Sequence, residues 1–168
     1  MPKKTTNEKP TRKPGDRNND KYQNDGLEQI AVETRRVTKV TKGAKRFRFS
    51  SIVVVGNKNG KVGVGLGKGS DPRQAIEKAA KYAKAHLVDV VLKGTTIPHI
   101  IQSDFGASTV LLKPAAVGTG IIAGSSVRAV VELAGIKDIR GKIIGSNNKV
   151  NNIYCTLKAL TTLRDKRL

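Results

Sequence analysis

Several residue types that commonly staple or fill a core are scarce in this chain of 168 residues: it has one Cys, one Met, no Trp, two His and only six Phe and Tyr rings. A single Cys155 excludes an intramolecular disulfide and a thiolate zinc cluster, which suits a reducing compartment. Acidic side chains are short as well, 13 against 32 Lys and Arg, leaving a formal charge of +19. Such an excess repels itself unless a polyanion neutralises it, so the partner expected is nucleic acid or an anionic membrane. Long apolar runs are also missing. The longest stretch free of charged residues, Pro114 to Val127, is rich in Gly and Ser and falls short of the ~20 apolar residues a spanning helix needs. The N-terminus, MPKKTTNEKPTRKPGDRNND, has no apolar core of a secretory signal, so the protein is expected to stay where it is made, without a membrane span.

What is present is patterned. Residues 1–26 carry almost no large apolar side chains and read as a disordered basic arm. From Leu27 the pattern turns to strand: Ile30 to Val40, Phe49 to Val55 and, after a turn at Asn57-Lys58-Asn59-Gly60, Lys61 to Leu66. A helix follows, with Asp71 as N-cap and Pro72 at its first position, running to about His86. Ala75, Ile76, Ala79, Ala80 and Ala83 recur at helical spacing and are expected to face the strands, while Arg73, Lys78, Lys81 and Lys84 point outward. A second unit is predicted from strands near Val88 to Leu92, Thr95 to Ile101 and Gly106 to Leu112. A Gly-rich loop, a helix over Ser125 to Ala134 closed by Gly135, a short strand near Ile136 to Ile139 and a last helix bearing Ile153, Leu157 and Leu160 complete it.

The densest charge lies between the first two strands, where Arg35, Arg36, Lys39, Lys42, Lys45, Arg46 and Arg48 oppose only Glu33, a net +6 in sixteen residues. A solvated face mixes signs; this one does not, and it reads as a phosphate-binding surface to which Lys58, Lys61 and Lys68 add. Phe47 and Phe49 interleave with the cations but are assigned, like the other aromatics, to the core. Readout of folded RNA by shape and backbone is the expectation.

Two glycine-rich stretches invite a nucleotide reading. Gly63 to Ser70 fails the phosphate-loop spacing, since Gly69 stands where a magnesium-binding hydroxyl is required. Gly118-Thr119-Gly120-Ile121-Ile122-Ala123 satisfies a relaxed dinucleotide pattern, with Asp138 twenty residues beyond Gly118, but it sits too late in a short chain to open a dinucleotide fold. His86, His99 and Cys155 form no nucleophile, base and orienter set, and no paired carboxylates occur. No enzyme, cofactor or metal is expected.

The residues themselves resemble a known family. Val37 to Gly43, Arg46-Phe47-Arg48-Phe49-Ser50, Val53 to Asn57 and Gly60 to Gly65 resemble the small-subunit ribosomal protein S-five family of bacterial type. Gly94 to His99, Lys113 to Ala116, Gly118 to Gly124, Arg128 to Val130 and Gly145 to Asn148 resemble its C-terminal signature. The resemblance implies an α+β protein: a β-β-β-α domain like a double-stranded-RNA-binding domain over 27–90, then a two-layer α/β domain over 91–165 with a left-handed βαβ crossover, and a tail at 166–168. It also implies a cytoplasmic, ribosome-bound structural protein contacting small-subunit ribosomal RNA, the neighbouring proteins S-four and S-eight, and messenger RNA near its entry channel. The family's hairpin that reaches the spectinomycin-binding RNA helix carries over to Thr38 through Arg46, including Lys42, Gly43 and Ala44. The boundary with S-four, where changes loosen decoding accuracy, carries over to Gly118, Gly120 and Arg128.

Three positions depart from the family pattern: Ala44 replaces a second Gly, Ser125-Ser126 replace Gly and a small residue, and Lys149 replaces a common Pro. Ala44 is strained if the hairpin needs a positive φ there, unless Gly43 absorbs the geometry. A small-molecule kinase of the homoserine and mevalonate type has a phosphate loop resembling Pro114 to Ser126, but the chain after Ala134 is too short to supply its remaining domain. A free RNA chaperone using the same basic surface is the other alternative.

Overall fold

A computed structural model describes residues 26–164; the predicted arm lies outside them apart from Gly26, and so does the predicted tail. The first sheet is antiparallel, in the order β1 (Glu28–Thr41), β2 (Ala44–Gly56), β3 (Lys61–Gly69) and β4 (Leu87–Asp89), with α1 (Pro72–Ala85) inserted before β4. The second sheet runs β5 (Ile101–Phe105), β6 (Ser108–Pro114), β8 (Ile139–Gly145) and β7 (Ile121–Ile122). Within it β7 and β8 are parallel neighbours connected through α2 (Ser125–Ala134), and α3 (Lys149–Thr162) follows β8.

Period-2 patterning on β2 explains the layering. Val53 and Val55 face Ala79, Ala80 and Ala83 of α1, while Ile52 and Val54 face the other way, into a larger core shared with Val130 and Leu133 of α2, Ile153 and Leu160 of α3, and Val110 and Leu112 of β6. The molecule is therefore stacked as α1, first sheet, paired helices α2 and α3, second sheet. Both sheets bury side chains in one core, so the helices of the second unit roof the first.

Glycine sets how closely α1 sits. Gly63, Gly65, Gly67 and Gly69 alternate along β3, and a Cβ at the first three would collide with the carbonyls of Ala83, Ala79 and Ala75. Two strand residues advance ~6.8 Å and one four-residue helical step ~6.0 Å, so the two repeats stay nearly in step and helix backbone rests on strand backbone. The glycine stretch that superficially promised a phosphate loop is this contact.

The first sheet is also joined to α2 by backbone. In the β2–β3 turn, the N–H groups of Lys58 and Gly60 donate to the carbonyls of Leu133 and Ala134 at 3.0 and 2.9 Å, capping the end of α2. Asn57 Oδ1 shapes that turn by accepting from the N–H groups of Asn59 and Lys61 at 2.8 and 3.0 Å. Gly135, at φ +91°, ends α2 in the left-handed conformation expected of it.

Several expectations need correction. Asp71 occupies the N-cap of α1 in an extended conformation but makes no side-chain cap bond. The strand expected over Val88 to Leu92 shortens to β4. The strand expected over Thr95 to Ile101 is absent: Lys93 and Thr96 form one isolated bridge, Gly94 turns at φ +62°, Pro98 has no N–H to pair, and β5 begins only at Ile101. Gly106 lies in the β5–β6 turn at φ +59° and β6 begins at Ser108. The strand expected over Ile136 to Ile139 starts at its last residue, because the N–H groups of Lys137 and Asp138 both donate to Thr95 O, at 2.9 and 3.0 Å, instead of joining a ladder. The short β7 lies within what reads as a glycine-rich loop.

Among the described residues the aromatics do not build the core. Phe47, Tyr82 and Phe105 are exposed, Phe49 and Tyr154 are partly buried, and the fully buried large side chains are Ile, Leu and Val. One cause is visible at α1, which lies too close to β3 for a ring to fit between them.

Candidate nucleic-acid interface

β1 and β2 outrun the rest of their sheet. The last rung shared with β3 is Phe49 with Gly69, so the five rungs from Val37–Arg48 to Thr41–Ala44 form a free two-stranded ribbon reaching about 17 Å beyond the sheet. At its tip Gly43 takes φ +81° and Ala44 is an ordinary strand residue paired with Thr41, so the substitution of Ala for Gly at 44 places no strain on the turn.

Register sorts the cations onto two faces. On the face continuous with Ile52 and Val54, Arg35, Ser50 and Lys68 form one row, Val37 and Arg48 the next, and Lys39 and Arg46 the third. Lys39, Arg46 and Arg48 line a groove of about 220 Å³ with Val37 and Thr41. The opposite face carries Arg36, Thr38, Val40, Lys45, Phe47 and Phe49, with the Arg36 guanidinium 5.0 Å from the Phe47 ring centre. Lys42 stands in the turn between the faces. Among the described residues no carboxylate pairs with Lys39, Lys42, Lys45, Arg46 or Arg48, so their charge is available to an anion.

Arg35 differs, because its Nε lies 2.8 Å from Glu33, which Lys149 Nζ also approaches at 3.4 Å. Lys149, the residue that replaces a Pro, thus ties the start of α3 to the root of the ribbon. Lys58 and Lys61 lie at the far end of the sheet, the first paired with Glu28 at 2.6 Å and the second with Asp89 at 3.7 Å. They are not near the ribbon, whereas Lys68 lies on β3 at its root, on the same face as Arg46 and Arg48.

A second basic patch escapes a reading along the chain. On the outer face of the second sheet, Lys113 pairs directly with Arg140, and Lys142 is next but one to Arg140 on the same strand. The signal was present as alternation in β6 and β8, but the register that joins the strands is a tertiary fact.

Gly118, Gly120 and Arg128 come together at one end of α2. Gly118 and Gly120 take φ +87° and +74° with open space beside them, and their N–H groups donate to Asp138 Oδ1 at 3.0 and 2.9 Å. Arg128 donates from a terminal nitrogen to Ile121 O at 2.9 Å and borders a groove of about 540 Å³ with Lys58, Glu132 and Lys137. The Gly120 N–H bond, then the Thr95 hydroxyl, hold the Asp138 carboxyl below its ordinary pKa of 3.8, against a smaller opposing effect of burial. The acidic residue that completed the dinucleotide pattern therefore occupies, with its own carboxylate, the N–H groups a phosphate would use. The remaining candidates are structural in their contacts: Cys155 is buried and donates to Ser103 O at 3.0 Å, and His86 Nδ1 lies 2.9 Å from Tyr82 O.

Among the described residues, then, the ribbon carries cations that no carboxylate pairs, and a separate glycine loop is ordered by the Asp138 carboxylate. Comparison with known proteins identifies the family. Family models described as "Ribosomal protein S5, N-terminal domain" and "Ribosomal protein S5, C-terminal domain" match residues 27–91 and 103–167. Proteins named "Small ribosomal subunit protein uS5" from Campylobacter jejuni subsp. jejuni serotype O:23/36 (strain 81-176) and from serotype O:6 (strain 81116 / NCTC 11828) are each 51% identical to this chain over 145 residues, covering 86% of it and 99% of the relative. With both halves of the fold matched and most of its length aligned, the chain belongs to the ribosomal protein S5 family, whose members are structural proteins and not enzymes.

Proposed function

We propose that this protein is a structural constituent of the small ribosomal subunit that grips small-subunit ribosomal RNA with the β1–β2 ribbon. The observation that carries the proposal is the run of cations, without acidic partners among the described residues, on a two-stranded arm extending past its sheet. In this reading residues 27–90 form the RNA-facing unit, and Thr38 through Arg46 reach the RNA helix that binds spectinomycin. Residues 91–165 form the protein-facing unit. Gly118, Gly120 and Arg128 meet the neighbouring protein S-four near the messenger entry, S-eight is a further neighbour, and the ribosome places the chain in the cytoplasm. Decoding accuracy then depends on this loop because a boundary that opens and closes responds to small changes in contact energy. The loop is suited to that role: two left-handed glycines present backbone to a partner, and one carboxylate fixes them.

The test is sedimentation of the protein with small subunits at low and at about 0.5 M salt, a range over which non-specific phosphate contacts lose orders of magnitude in affinity. Retention at both salts is expected. With purified RNA, joint replacement of Lys42, Lys45, Arg46 and Arg48 by Gln is expected to flatten the salt slope by about one unit per lost phosphate contact. Absence from the subunits at both salts refutes the assignment, and an unchanged slope moves the RNA footprint off the ribbon.

A further inference from the structure

Resting on that reading, the two faces of the ribbon call for different parts of an RNA. The face with Lys39, Arg46 and Arg48 is a cationic groove suited to phosphates, with Lys68 on the same face where the ribbon meets the sheet. The opposite face has an apolar centre: Phe47 is 50% exposed and Val40 69%, with Thr38 beside Phe47 and the cations Arg36 and Lys45 around them. Among the described residues nothing in the chain covers this patch, and the Arg36 guanidinium lies over the ring at 5.0 Å. Phosphate has no use for an apolar centre, yet the surrounding charge selects an anionic partner. A nucleotide meets both demands, its base lying on the ring and its phosphate near Arg36 or Lys45. A paired base keeps its π-faces stacked within the duplex, so the occupant must be unstacked.

We propose that Phe47, flanked by Arg36 and Val40, is a stacking platform for one unpaired base of the ribosomal RNA, while the other face of the same ribbon holds backbone phosphates.

The chain has no Trp, so Phe47→Trp installs a single indole at the site and Val37→Trp a single indole on the phosphate-facing side. Each full-length variant is titrated with purified small-subunit ribosomal RNA. Base stacking is expected to quench the indole of Phe47→Trp strongly on binding and to leave that of Val37→Trp much less affected. Phe47→Ala is expected to weaken binding about 10-fold to 100-fold with an unchanged salt slope, and Phe47→Tyr to bind as the unsubstituted protein does. An equal urea midpoint for Phe47→Ala and the unsubstituted chain excludes misfolding as the cause. Unaltered affinity of Phe47→Ala, or unquenched indole in a bound Phe47→Trp, overturns the proposal and leaves the patch to a protein partner. If the unsubstituted chain binds no RNA at all, the failure is that of the parent reading, and this one falls with it.

Discussion

Gly65→Ala separates the glycine contact described here from ordinary strand preference, because the two predict opposite signs. In an open strand, Ala in place of Gly stabilises by roughly 0.5–1 kcal/mol through lower chain entropy. At Gly65, however, the new Cβ lies 2.8 Å from Ala83 N and 2.9 Å from the carbonyl carbon of Ala79, and nearer still to the Ala79 carbonyl oxygen. Ordinary contact begins near 3.4 Å, so α1 must retreat by more than half an ångström. A gap of that size forfeits about a quarter to a half of each affected dispersion contact along the Ala75, Ala79, Ala80 and Ala83 face. Overpacking of this kind costs about 1–3 kcal/mol, and the upper end applies because backbone, not a flexible side chain, stands on both sides. The net expectation is a loss of about 2 kcal/mol, read as a lower urea midpoint at unchanged slope. Gly67→Ala is expected to behave alike and Gly69→Ala more mildly, since it faces only the first turn of α1. Adding Ala79→Gly to Gly65→Ala is expected to give no rescue, because the colliding atoms are main chain. A midpoint for Gly65→Ala at or above that of the unsubstituted protein refutes the reasoning.

Two further predictions concern titratable groups outside the ribbon. Because the Asp138 carboxyl is held below 3.8, its support of the 118–120 loop is complete above about pH 4 and is lost as pH falls through the depressed value. The protection of the Gly118 and Gly120 amides, relative to neighbouring amides, is therefore expected to fall as pH drops below about 4, and Asp138→Asn to lower it already at neutral pH; unchanged protection in Asp138→Asn contradicts this. The Cys155 thiol, its pKa raised chiefly by burial, is expected to resist iodoacetamide in the native protein and to react in step with urea unfolding, measured by mass.

Local chemistry was legible where it decides the outcome alone. The helix over Pro72–Ala85, its alanine face, the turn at Asn57 to Gly60 and the left-handed Gly135 follow from residues adjacent in sequence. Strand limits between Leu87 and Ile139 were not legible. There Thr95 O collects two N–H groups from about forty residues away, and no periodicity encodes that. The basic ribbon was readable as a charge cluster, but its division into faces needed the register. Assigning the aromatics to the core failed for a related reason: hydrophobicity says that a ring prefers burial, not whether the sheet it stands on has space left for it.

β2 is one uninterrupted strand from Ala44 at the ribbon tip to Gly56 against the end of α2, while the irregularity in the ladder, between Ala31 and Glu33, falls on β1. It is a beam anchored at one end and loaded at the other. The anchored end rests on the same helix whose opposite end carries Arg128 and the glycine loop. A sideways load on the tip meets no joint in β2 itself, so it passes into the rungs shared with β3, from Phe49 to Gly56, and into the seat on α2.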